Sequence, residues 1–136
     1  MKKGVPVSIK PCLSTGRNPK GKLPSLPFQL LKNEILGHSY ELSIVFADKK
    51  TSQSLNRRWR GKNKPTNILS FSLSKNAGEL IIHLPTVKKE KGAFGMNFKN
   101  FLGLIIIHGM LHLKGMQHSS KMEVKERQFC KRFGFK

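Results

Sequence analysis

The sequence predicts an α+β fold, a small mixed four-stranded sheet with helices packed on it. Three observations predict it. Segments of β-type and helical patterning follow in the order strand, helix, strand, helix, strand, strand, helix, helix. One helical segment, "FKNFLGLIIIHGMLHLKG", is too apolar to face solvent and needs a sheet to cover it. The 136 residues suffice for one core but not for two, so a single domain spanning 1–136 is expected.

Each element has its own justification. "VPVSIKP" reads as a first strand, ended by Pro11. "STGRNPKGKLPSLP" is punctuated by Gly, Pro and Ser and reads as a basic loop able to touch RNA. In "FQLLKNEILGHSY", Phe28, Leu31, Ile35 and Leu36 share a helical face and Gly37 is a stop signal. "YELSIVFA" alternates through Leu42, Ile44 and Phe46, a strand pattern. Asp48 can cap a helix over "KKTSQSLNRRWR", which Gly61 ends. "TNILSFSL" and "GELIIHL" read as two strands joined by "SKNAG", a hairpin-length connection. "PTVKKEKGAFGMN" is polar and glycine-containing and reads as a loop with one short helical turn. The apolar helix follows and ends at Gly115. "SKMEVKERQFCKRFGF" places Met122, Phe129 and Phe133 amid charge, a C-terminal amphipathic helix.

The charge balance is extreme: 26 Lys+Arg against 7 Asp+Glu, a formal net charge of +19. A field of that sign attracts polyanions, and nucleic acid is the expected partner. Cys12 and Cys130 lie far apart in sequence and form no Cys-x-x-Cys pair, which predicts free thiols in a reducing compartment. "MKKGVPVSIK" has no apolar stretch after its lysines and no segment is long enough to span a bilayer. The expected location is cytoplasmic, with no membrane partner.

The histidines carry the chemistry. His108 and His112 are four apart and so share a helix face. Gly115 and His118 complete the spacing H-x-x-x-H-x-x-G-x-x-H. The glycine lets the chain turn back, so the third imidazole can close a tripod around one zinc ion with water in the open position, a zincin-like metal site. Lone histidines on apolar faces are ordinarily core residues, but three at this spacing with a glycine at the turn point to a metal. The glutamate base that follows the first histidine in metalloproteases is replaced by Gly109, which argues against peptide hydrolysis. With a charge of +19, the expected substrate carries phosphates. In "LNRRWRGKNKPTNILSF", Arg57, Arg58, Arg60, Lys62 and Lys64 surround Trp59. Such a run is either a solvated face or a phosphate clamp.

"HGMLHLKGMQH" resembles the H-G-x-L-H-L-x-G-x-D-H signature of the YbeY-type endoribonucleases, also called rRNA maturation factors. "LNRRWRGKNKPTNILSF" resembles their L-N-x-x-y-R-x-k-d-x-P-T-D-V-L-S-F block, "GELIIH" their G-D-I-v-I strand and "MEVKERQF" their M-x-x-x-E stretch. These cover about half the chain in the family's order. The resemblance implies cleavage of single-stranded RNA, ribosomal RNA maturation, ribosome quality control and ribosomal partners. It implies His108, His112 and His118 as metal ligands and Arg60 as the arginine near the active site. Three positions depart from the pattern: Gln117 and Asn67 stand where aspartates are usual, and Glu79 replaces another aspartate. Each of the first two removes a negative charge, and an amide that orients a ligand histidine would do so less strongly than a carboxylate. A non-catalytic RNA-binding assembly factor with a structural or vestigial metal is the alternative. Water and the RNA 2′-hydroxyl both stay open as the attacking group.

Overall fold

The computed structural model describes residues 4–10 and 23–136. Pro11, Cys12 and the start of the basic loop, up to residue 22, lie outside them. Four strands, β1 (Ser8–Lys10), β2 (Glu41–Phe46), β3 (Ile68–Ser74) and β4 (Ala77–Ile82), form one sheet in the order β1-β2-β4-β3. β1 pairs parallel with β2 and β2 with β4, while β3 runs antiparallel to β4. The sheet is therefore mixed, and β3 is an edge. Among the described residues the α-helices are α1 (Phe28–Ile35), α2 (Lys49–Arg60), α3 (Leu84–Glu90), α4 (Phe98–Leu113) and α5 (Ser120–Phe133).

Alternation decides which residues face which layer. Leu42, Ile44 and Phe46 of β2, Leu80 and Ile82 of β4 and Ile68 of β3 join the main core with α4. Val45, Leu69 and Ile81 face the other way, where Leu55 of α2 and Phe71 pack on them. The central strands are thus buried on both faces, as parallel strands usually are. Phe101, Leu102, Ile106, Ile107 and Met110 of α4 are fully buried. Truncating any of the larger ones to alanine costs about 2–5 kcal/mol. Gly109 lets the helix approach the sheet: an added Cβ would lie 2.7 Å from Ile68 Cδ1 and 2.9 Å from Leu80 Cδ2. The Ser70 hydroxyl donates to the Gly109 carbonyl at 3.0 Å and fixes that approach.

Two expectations need correction. The stretch after His83 is not a loop. It forms α3, with Pro85 in its first turn, and then a 3-10 turn over Lys91–Phe94 closed by Gly95 at φ 62°. Pro lacks the N–H that a first turn leaves unpaired anyway, so it starts a helix rather than breaking one. The first strand is also shorter than "VPVSIKP", because only Ser8–Lys10 pair with β2. Among the described residues no single helix is long and apolar enough to cross a membrane. The bent pair Leu84–Phe94 and Phe98–Leu113 turns by 105°, and much of α4 is buried in the core.

Candidate metal centre

α4 delivers two imidazoles to one place because its face is set by the core on the opposite side. His108 and His112 are one turn apart, with ring centroids 4.6 Å from each other. The helix then ends in a Schellman turn. The Gly115 N–H donates to the His112 carbonyl at 2.9 Å and the Met116 N–H to the Leu111 carbonyl at 3.0 Å. Gly115 takes φ 100°, a conformation that favours glycine. The reversal brings His118 to ring-centroid distances of 5.0 Å from His108 and 4.6 Å from His112. Ser119 then caps α5 by accepting from the Met122 N–H, which fixes the chain's exit.

The hydrogen bonds around the rings set their tautomers. His112 Nδ1 lies 2.9 Å from the Met116 carbonyl, which can only accept, so the proton sits on Nδ1. His108 Nδ1 donates to the Glu126 carboxylate of α5, which packs against α4. The two Nε2 atoms lie 3.1 Å apart, close enough to share a proton or, with both rings neutral, to flank a cation. Two nitrogens bound tetrahedrally at about 2.05 Å to one ion are about 3.3 Å apart, so this spacing is also that of two ligands on a shared metal ion. One ligand nitrogen from each of His108, His112 and His118 lies within 4.8 Å of the others, and the set could hold a metal ion. His112 is held below the usual imidazole range, first by burial, then by its neighbour His108 and more weakly by His118 and Arg60. The Met116 carbonyl opposes this shift. A neutral ring is the form that binds metal. Cys130 lies outside the histidine cluster and does not line the cavity, and burial and the Glu126 carboxylate push its thiol up to about 11.

The histidines line a cavity of about 780 Å³. Arg60 lines it too, with its guanidinium 3.5 Å from the Thr66 hydroxyl. Arg57, Arg58, Lys62 and Lys64 do not line it, so the basic run divides between one cavity residue and a solvent-facing remainder. The position of Arg60 depends on a clamp beneath it. The Ser52 hydroxyl donates to the Thr66 carbonyl at 3.0 Å and accepts the Thr66 N–H at 2.9 Å, while the Asn56 amide donates to the Lys64 carbonyl at 2.8 Å. Ser52 and Asn56 are buried, which is why neither competes with water.

Of the three departures, only Gln117 and Asn67 line the cavity. Neither holds the Nδ1 of His108 or His112. The Asn67 amide donates to Glu90 at 2.9 Å, tying β3 to α3, and Glu79 pairs with Lys10 at 3.8 Å. Glu126 is the residue that sequence reasoning missed in a role. The M-x-x-x-E stretch was its signal, but its function depends on how α5 packs against α4.

Residues 25–134 match the family model described as endoribonuclease YbeY. Curated relatives bearing that name include one from Geobacillus kaustophilus, 32% identical over 69% of this chain and 73% of its own. Another, from Petrotoga mobilis, is 32% identical over 79% of this chain and 77% of its own. A third, from Persephonella marina, is 37% identical, with 57% of this chain matched to 56% of the relative. The solution structure of a Thermotoga maritima protein superposes with a TM-score of 0.58 at 24% identity, covering 91% of this chain and 86% of that one, and shares the fold. With four-fifths of its residues under the family model and the three-histidine cluster assembled at the end of α4, the chain belongs to the endoribonuclease YbeY family.

Proposed function

We propose that this protein is a zinc-dependent endoribonuclease that cleaves single-stranded RNA in the cavity, acting in ribosomal RNA maturation and ribosome quality control in the cytoplasm. The observation that carries the metal reading is the meeting of three imidazoles whose ligand nitrogens lie within 4.8 Å of one another, with Nδ1 of His108 and of His112 engaged elsewhere. The net charge of +19 supports a phosphate-bearing substrate and ribosomal partners. His108, His112 and His118 hold the ion, and Glu126 keeps His108 in the binding tautomer. A divalent ion bound there supplies a Lewis acid for the phosphodiester. Arg60 reaches the same cavity and neutralises charge that grows on the phosphoryl oxygens. Gly109 points into the core rather than the cavity and contributes no base.

The test pairs metal analysis of the purified protein with single-turnover cleavage of one single-stranded RNA, with and without chelator. Cleavage should disappear with chelator and return with zinc. Arg60→Ala should slow it by at least about 10²-fold, the scale of a lost transition-state donor. Arg57→Ala and Lys62→Ala should each have a small effect. Equal effects at all three positions would remove Arg60 from the active site. Metal-bound protein that cuts no single-stranded RNA would leave an RNA-binding assembly factor.

A further inference from the structure

Phe94 breaks the usual rule for large apolar side chains: it is 61% exposed. It sits in the 3-10 turn before α4 and lines the histidine cavity. One face of its ring stacks on Phe101, with centroids 4.9 Å apart and planes at 27°. Phe101 is fully buried, so the stack has a rigid base. The exposed area belongs to the rest of the ring, and nothing in the core requires an aromatic there.

Phe101, Ile105, His108 and His112 follow at intervals of four, three and four, so they share one face of α4. Phe101 and His108 are seven residues apart, about 10 Å along the axis. The ring stack and the imidazoles therefore form two ends of one wall, with Arg60 lining the same cavity. A phosphate at the polar end leaves a flat apolar surface for a base at the other. The charge of the chain favours a polyanion over an apolar peptide as the occupant.

We propose that the open face of Phe94 is a stacking platform for a nucleobase next to the phosphodiester held at the histidines. This inference rests on the reading of the cavity as an RNA site. It gives single-strand preference a physical cause. Bases in a duplex are already stacked on one another, whereas an unpaired base has a free π-face, and aromatic stacking accepts any base.

The experiment uses the full chain in chelator, which stops cleavage, and a single-stranded oligoribonucleotide with 2-aminopurine placed at each position in turn. One position should be quenched on binding to wild type. Phe94→Ala should abolish that quench and weaken binding roughly five- to hundredfold, the range of one lost base stack. Phe94→Trp should keep both. Leu73→Ala, an exposed apolar residue of β3 outside the cavity, should change neither. Phe94→Leu guards against a folding artefact: it should fold, keep apolar contact and still lose the quench. Full affinity and quench in Phe94→Ala, or in Phe94→Leu, overturns the platform. If those variants bind RNA as wild type does, with the same salt dependence, only the platform fails. If wild type binds no single-stranded RNA at any salt concentration, the RNA reading of the cavity fails with it.

Discussion

Replacing Glu126 should weaken metal binding without touching a ligand. Its carboxylate accepts the Nδ1 proton of His108 and so keeps Nε2 free to bind. One hydrogen bond, the width of the ring and one metal–nitrogen bond separate it from the ion, about 6.5 Å in all. At an effective dielectric of about 20, a unit charge there interacts with each unit of ion charge by about 2.6 kcal/mol. The side chain is 18% exposed, so water screens part of this and the figure is an upper bound. Partners of ligand histidines are ordinarily worth 10–100-fold in affinity, or about 1.4–2.7 kcal/mol. Zinc affinity should therefore fall about 10–100-fold in Glu126→Ala. Glu126→Gln should fall less, because the amide oxygen still accepts the proton. Glu123→Gln, exposed one turn earlier on α5, should change nothing. The assay is competition with a chromophoric chelator at pH 7.5. Affinity within twofold of wild type in Glu126→Ala would refute the idea that this carboxylate tunes the centre.

Two further outcomes follow from the core. His83, buried at the N-terminus of α3 with Nδ1 2.7 Å from the Thr86 hydroxyl, is held below the usual imidazole range, chiefly by burial. The unfolded chain then binds the extra proton first, so this group's contribution is intact above about pH 6.5 and is lost as pH falls below it. Urea midpoints at pH 7.5, 6.5 and 5.5 should drop more steeply for wild type than for His83→Asn, and parallel slopes would exclude His83. Gly109→Glu should cost at least about 3 kcal/mol, since it overpacks against Ile68 and Leu80 and buries an unpaired carboxylate. Thermal unfolding checks this, and an unchanged midpoint would show that the side chain escapes to solvent.

The strongly patterned elements were readable because local signals and packing agree. Asp48 caps α2 through the Thr51 N–H at 2.7 Å, Gly61 closes it at φ 70°, and alternation in β2 matches the two layers. α3 was missed because only Val87 of its seven residues is buried, which leaves no periodicity to detect. The order β1-β2-β4-β3 was invisible for a different reason. Pairing β2 with β4 skips β3 in sequence, and nothing in a strand's own residues names its non-sequential neighbour.

The site shows the same division. The histidine triad could be read because helix geometry and one glycine fix it locally. The role of Glu126 could not, because it is eighteen residues from His108 and meets it only through helix packing. The block from Leu55 to Phe71 is instructive in another way. Its density of basic residues left a solvated face and a phosphate clamp both open, and only Arg60 among them lines the cavity. Asn56 and Thr66 belong instead to the clamp with Ser52 that joins α2 to the loop before β3. Ser70 in turn bonds the backbone of α4 at Gly109, one residue from His108. Much of that stretch thus acts at a distance, by fixing where one guanidinium and two imidazoles stand relative to each other. A motif read from sequence marks the residues on which a site depends, and it takes the packing to separate those that face the substrate from those that hold the others in place.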